Sequence, residues 1–190
     1  MEQAPAGAGG NSFPHINSDK FFNMLPFEND TTFLDLACGY GDYSLEASKY
    51  IGESGRIYAV DQWESGIKAL EEKSSEQNIE IIETENVDIA EGISLKDQSV
   101  DICLISTALH DLVIQDNGEN IIGEAERVLK ERGVLAIIEF KKQTMEQGPP
   151  LEHKISADKL GNYLEGYAFK KEIITEIGSN HYVAIYRKGN

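Results

Sequence analysis

A chain of 190 residues, 41% hydrophobic and 26% charged, is long enough for one α/β domain and short for two. Its formal net charge of −16 argues against nucleic acid as a partner, because so acidic a surface repels a phosphate backbone. The only two cysteines, Cys38 and Cys103, each sit in an apolar run. That excludes a disulfide scaffold and a CxxC zinc site, and reads as two small buried hydrophobes in a reducing, cytoplasmic setting.

No stretch approaches the ~20 apolar residues of a membrane span. The opening MEQAPAGAGGNSF lacks the basic and apolar regions of a secretory signal and is expected to be a flexible arm to about Gly10. The spacing then predicts a short helix over Ser18 to Leu25, capped by Ser18. Thr32 to Ala37 reads as a first strand, followed by a Gly-rich turn and a helix from Asp42 to Tyr50. Arg56 to Val60 is a second strand closed by Asp61, and Ser65 to Gln77 a helix. A third strand runs from Ile79 to about Val87, and a fourth is Val100 to Ser106. Asn120 to Glu131 is predicted helical, closed by Gly133, and Val134 to Phe140 is a fifth strand. A loop from Lys141 to Pro150 ends in two prolines, which break helix and sheet alike. Ser156 caps a last helix carrying Leu160, Tyr163 and Leu164. Phe169 to Ile177 and His181 to Arg187, separated by Gly178, Ser179 and Asn180, form a hairpin signal. Strands alternating with helices imply βα units on a parallel sheet, here ending in an antiparallel hairpin.

The motif richest in chemistry is LDLACGYGDYSLEAS, Leu34 to Ser48. An acid, Asp35, lies inside a buried strand; Gly39 and Gly41 follow; a helix then begins. Glycine lets the backbone turn sharply and approach a ligand, and a helix start offers free N–H groups. A dinucleotide site wants G-x-G-x-x-G/A, whereas Ser44 stands at the third small position here. Asp35 also suits a cation such as an ammonium or sulfonium better than a pyrophosphate.

D-x-A-C-G-x-G closing strand 1, with an acid closing strand 2, resembles the class I S-adenosylmethionine-dependent methyltransferases. The resemblance runs from about Phe33 to Lys188 and includes the final hairpin. ALHDL and IIEFKKQTMEQGPPLEHKIS further resemble a subgroup of small bacterial and archaeal methyltransferases with FHEL-like and WKK…GPP-like stretches at these places. The implied fold is a three-layer α/β sandwich, a Rossmann-like, mostly parallel seven-stranded sheet with a terminal antiparallel β-hairpin. Residues 1–30 would be an arm and helical lid, and 31–190 the methyltransferase domain. The implied cofactor is S-adenosyl-L-methionine. The implied acceptor is a small molecule, without nucleic acid or membrane, and a homodimer stays open.

Carried onto this sequence, the resemblance implies that Asp35 faces the methionine ammonium and that Gly39 and Gly41 let the backbone wrap methionine and ribose. Ala37 and Ser106, closing strands 1 and 4, complete the wall. Asp61, twenty residues past Gly41, would accept from the ribose hydroxyls. Gln62 or Trp63 would cover adenine, and an acid after strand 3 would take its amino group. Gap-free alignment puts Ile89 at that acidic position, with Asp88 next door, and both are carried forward.

Ligands in open α/β sheets bind outside the carboxyl ends of the strands, which places His110, just past Ser106, as the candidate base. Asp111 is its candidate orienting partner if a turn brings the two together. Glu139 and Lys141 share one face at the end of strand 5, where Lys141 and Lys142 read either as an entry for an anionic group or as a solvated loop. The Pro149–Pro150 segment with His153 is expected at the pocket rim. No spacing reads as a metal site. Two other classes stay open on sequence: a nicotinamide-dependent oxidoreductase, and a non-catalytic S-adenosylmethionine-binding module.

Overall fold

The computed structural model describes residues 10–146 and 148–189. The expected flexible arm falls almost wholly on residues 1–9, outside the described residues. The elements in chain order are α1 (Ser18–Phe22), β1 (Thr32–Leu36), α2 (Asp42–Ala47), β2 (Arg56–Asp61), α3 (Glu64–Glu76), β3 (Ile82–Asn86) and β4 (Val100–Ser106). They continue with α4 (Leu109–Ile114), α5 (Gly118–Val128), β5 (Leu129–Phe140), α6 (Ala157–Tyr163), β6 (Phe169–Glu176) and β7 (His181–Lys188).

The strands form one seven-stranded sheet in the order β3-β2-β1-β4-β5-β7-β6. β1 to β5 pair in parallel, and β7 runs antiparallel between β5 and β6. This is the sheet expected from the sequence. Strands such as VDICLIS read as nearly continuous apolar runs because both faces are covered. Cys103 and Ile105 of β4 join Leu135 and Ile137 against α5 and α6. Ile102 and Leu104 turn the other way, with Ala136 and Ile138, toward Phe21, Phe22 and Tyr43. The period-two alternation of each strand thus builds two cores in three layers. Strand order reverses between β1 and β4, so a crevice opens at their carboxyl ends.

Several element boundaries differ from the sequence reading. α1 is capped by Asn17, whose side chain accepts from Lys20 N–H, rather than by Ser18, and it ends at Phe22. Phe21 and Phe22 are fully buried, so α1 is a packed part of one layer. The predicted third strand begins only at Ile82. The helix expected to reach Glu131 stops at Val128, because Leu129 is extended and pairs with Val100. Lys130 then meets both carboxylate oxygens of Asp101, at 2.8 and 2.9 Å. Finally, α4 was not foreseen. It is short, and Ala108 at its start offers no side-chain cap, so no local signal marks it.

Candidate active site

Both strands at the switch point end in a left-handed residue: Ala37 after β1 (φ 65°) and Thr107 after β4 (φ 50°). Non-glycine residues held there carry strain of the kind found at ligand sites. Ala37 and Cys38 both donate to the Val60 carbonyl, at 2.9 and 3.0 Å, which pulls the chain sharply off β1. Gly39 (φ 55°) and Gly41 (φ 71°) complete the turn. A Cβ on Gly39 would meet nothing within 4 Å, so glycine serves its conformation and leaves space beside the turn. A Cβ on Gly41 would fall 2.5 Å from the Leu70 side chain; Gly41 packs α2 against α3 rather than facing the crevice. Gly66, unnoticed in the sequence, is needed for the same reason, since a Cβ there would lie 2.5 Å from the Gly39 carbonyl oxygen.

Asp35 is fully buried beneath this turn. Ser44 Oγ donates to its Oδ2 at 2.7 Å, while Oδ1 has no partner. Ser44, the residue that departs from the dinucleotide pattern, is therefore the anchor of the acid. Burial, reinforced by the charge of Asp61, pushes Asp35 up to about 7 against the Ser44 hydrogen bond. An unpartnered carboxylate oxygen at the foot of the crevice fits a cationic ligand group.

Asp61 closes β2 and is nearly buried. Its Oδ2 accepts from Gly39 N–H and its Oδ1 from Trp63 N–H, both at 2.8 Å. Burial lifts its pKa, opposed by those backbone donors. A carboxylate has about four lone-pair sites, so Asp61 keeps capacity for a hydroxyl donor beside these backbone groups. Trp63 is buried and stands edge-on to Tyr40 at 4.7 Å, whereas Gln62 is exposed. Asp88 is exposed and caps a short 3-10 turn through Ala90 N–H, at 2.9 Å. Ile89 is buried in the core, so of the two candidates after β3 only Asp88 presents its side chain.

Asp35, Ala37, Gly39 and Ser106 line one cleft, together with Asn11 and Ser12. Ser12 is buried, with Oγ 2.8 Å from Tyr43 Oη and 3.0 Å from Ser106 Oγ. Asn11 donates to Asp42 at 2.6 Å. The segment before α1 is thus laid across the crevice, a placement no local sequence signal predicts. It is tied down further along, where Asn17 N–H donates to the Ile177 carbonyl at 2.5 Å. Only about 40 Å³ is left in this cleft.

A second, larger cavity of about 750 Å³ adjoins it, sharing Gly10, Asn11, Ser12 and Thr107. Its walls carry His110 and Asp111 from the first turn of α4, Phe140 at the end of β5, and the loop around Pro149 and Pro150. His110 is buried, and its partner is Glu139, which is fully buried. Glu139 accepts from His110 main-chain N–H at 3.1 Å and from the ring through Nδ1 at 3.0 Å. Burial alone would push the His110 ring down; the Glu139 hydrogen bond and charge, helped by Asp111, outweigh it and leave the ring above the ordinary histidine value. Asp111 faces the other nitrogen, Nε2, at 3.6 Å. The hydrogen-bond partner of the ring is therefore Glu139, with Asp111 on the side of the opposite nitrogen. An acid near the end of the apolar run VLAIIEF was the available signal.

The two lysines after β5 are committed elsewhere. Lys141 pairs with Glu176 at 3.0 Å, and Lys142 donates to the Lys154 carbonyl at 2.9 Å. Neither lines the cavity, so they do not form an anion entry. Lys154 is buried and donates back to the Gln143 carbonyl at 2.7 Å. This reciprocal clasp shapes the loop that walls the cavity. Cys38 and Cys103 are both buried, with thiols pushed up by burial.

The chain was compared with known proteins. A family model described as a methyltransferase domain matches residues 27–182. A crystal structure of a SAM-dependent methyltransferase from Aquifex aeolicus superposes with a TM-score of 0.84 at 26% identity, covering 93% of this chain and 92% of that one. Demethylmenaquinone methyltransferase of Lactobacillus johnsonii is 28% identical over 129 residues, 66% of this chain and 50% of the relative. The ubiquinone/menaquinone biosynthesis C-methyltransferase UbiE of Escherichia coli is 32% identical over 119 residues, 60% of this chain and 45% of the relative. The chain thus spans about half the length of these curated relatives. The family match over most of the chain, on a sheet of the same topology with a glycine turn above a buried acid, leads to one assignment: the chain belongs to the methyltransferase domain family, in its class I S-adenosylmethionine-dependent form.

Proposed function

We propose that this protein is an enzyme transferring the methyl group of S-adenosylmethionine to a small-molecule acceptor held in the cavity beside His110. The observation that carries this reading is the shared wall: Ser12 and Thr107 border both the cleft over Asp35 and the cavity over His110. When bound, S-adenosylmethionine supplies an electrophilic methyl on a sulfonium whose leaving group ends neutral.

The chain's part is to bind, orient, exclude water and move one proton. The free oxygen of Asp35 suits the methionine ammonium, with Ala37, Gly39 and Ser106 around it. Asp61 has lone pairs left for the ribose hydroxyls. Trp63 and Gln62 flank the adenine position, and Asp88 is the acid for its amino group. With Nδ1–H held on Glu139, His110 keeps Nε2 free to take the proton that the acceptor atom sheds. Asp111, beside Nε2, favours the imidazolium that results. Residues 31–190 act as the catalytic domain. The Gly10–Ser12 segment acts as the lid, with α1 as its fixed base.

The printed names of the curated relatives put quinone-type rings first in an acceptor screen. Calorimetric titration with S-adenosylmethionine, its demethylated product and NAD tests the cofactor. Labelled methyl transfer to the screened acceptors tests the reaction. Micromolar binding of the first two ligands and none of NAD is expected. Tight binding with no transfer across the screen would favour a non-catalytic module instead.

A further inference from the structure

All four histidines of the chain line the larger cavity. His110 is held by Glu139, His15 is exposed and His153 is half-buried. His181 is unlike the others. It opens β7 directly across from Phe140, is only 2% exposed, and neither of its ring nitrogens has a hydrogen-bond partner. The His15 carbonyl lies close enough to favour the charged ring, yet does not reach hydrogen-bond geometry. Buried polar groups are nearly always satisfied, and a buried imidazole left without a partner beside a cavity calls for one.

Its surroundings define that partner. Burial, followed by the charge of His15 and then of Lys141, pushes the ring down to about 4, so at neutral pH it is an uncharged donor and acceptor. Asp111 and Glu146 border the same cavity and disfavour an anion. Phe140 lies between the two buried histidines, its ring 5.4 Å from that of His110 and 4.6 Å from that of His181. Phe140 thus ties both imidazoles to one wall of the cavity.

We infer that His181 is a specificity-determining residue of this cavity, hydrogen-bonding an uncharged polar group of the acceptor, such as a hydroxyl or amide, at a position away from the methylated atom. This rests on the reading that the acceptor occupies the cavity.

The test is a titration of the protein saturated with S-adenosylhomocysteine, following the ring nitrogens of ¹⁵N-labelled histidine by NMR. Three probes are used: resorcinol, phenol and 3-hydroxybenzoate. The resonances are assigned with His110→Ala and His181→Phe. Resorcinol should move the nitrogens of both His110 and His181 and bind about tenfold tighter than phenol. 3-Hydroxybenzoate, of similar shape but anionic, should bind more weakly than resorcinol. His181→Phe should erase the resorcinol advantage while leaving phenol and S-adenosylhomocysteine affinities in place, and His181→Gln should restore part of it. No movement of the His181 nitrogens with resorcinol would overturn the inference. So would a resorcinol advantage that survives in His181→Phe, or equal binding of the benzoate. Calorimetry with S-adenosylhomocysteine is read separately, and the probes are repeated without it, so a failure of the cofactor reading is told apart from a failure at His181.

Discussion

Glu139 holds His110 at two points, the main-chain N–H at 3.1 Å and ring Nδ1 at 3.0 Å, although the residues are 29 apart in the chain. This fixes the tautomer, leaves Nε2 on the side of Asp111 at 3.6 Å and raises ring basicity. His110→Ala should lower kcat by about 10²-fold or more while sparing cofactor affinity. Glu139→Gln should lower kcat less. It should also shift the acid limb of the pH–rate profile to lower pH, since the ring loses the charge that holds it above its ordinary value. An unmoved limb in Glu139→Gln would remove Glu139 from the role of positioning the base.

Asp35 should make cofactor binding depend on pH. Its pKa of about 7 in the free protein must fall when an ammonium pairs with it. Affinity for S-adenosylmethionine should therefore drop by about tenfold per unit as pH falls from 7 toward 5.5. The folded-state value lies above the unfolded one, so the favourable contribution of this group is present at low pH and lost as pH rises through about 7. Asp35→Asn should accordingly be more stable than the native protein at pH 8, by about 2–4 kcal/mol, with the gap closing near pH 4. It should also bind cofactor poorly. Thermal melts at the two pH values, with calorimetry alongside, check both halves.

Asp61→Ala removes the acceptor of Gly39 and Trp63 N–H as well as the ribose contact. A loss of about 10²-fold in cofactor affinity is expected, since each hydrogen bond to a charged group contributes about 1.5–3 kcal/mol. Trp63 is the single tryptophan of the chain, so its fluorescence reports the turn directly. The variant's emission should already differ without ligand if the carboxylate holds the Trp63 backbone.

The Gly10–Ser12 segment leaves only about 40 Å³ in the cleft, so cofactor entry requires it to move. Ser12→Ala loses the contacts to Tyr43 and Ser106, and should speed association by about tenfold, given ~1 kcal/mol per hydrogen bond. Stopped-flow Trp63 fluorescence measures this. An unchanged association rate would place entry elsewhere.

The loop clasp carries a further expectation. Lys154→Met keeps the buried stem but loses the bond to the Gln143 carbonyl, and the wall carrying Met145, Pro149 and Pro150 should loosen. Acceptor KM should rise several-fold with cofactor affinity unchanged, and faster amide exchange over 141–156 should accompany it.

The sheet and the glycine turn were legible in the order of the amino acids. Strands buried on both faces write continuous apolar runs, the Gly-Ser-Asn turn writes a hairpin, and a glycine turn must lie within a few consecutive residues. The acid inside β1, the two glycines and the spaced Asp61 are therefore legible as one motif. Even Ser44, noted only as a departure, had a local cause nine residues from Asp35. The folded chain settled the contacts between distant segments. It replaced Asp111 with Glu139 as the partner of His110, released Lys141 and Lys142 to other duties, laid Ser12 against Ser106 and gathered four histidines around one cavity. These residues meet through strand order and loop packing between distant parts of the chain, and no periodicity or spacing encodes such contacts.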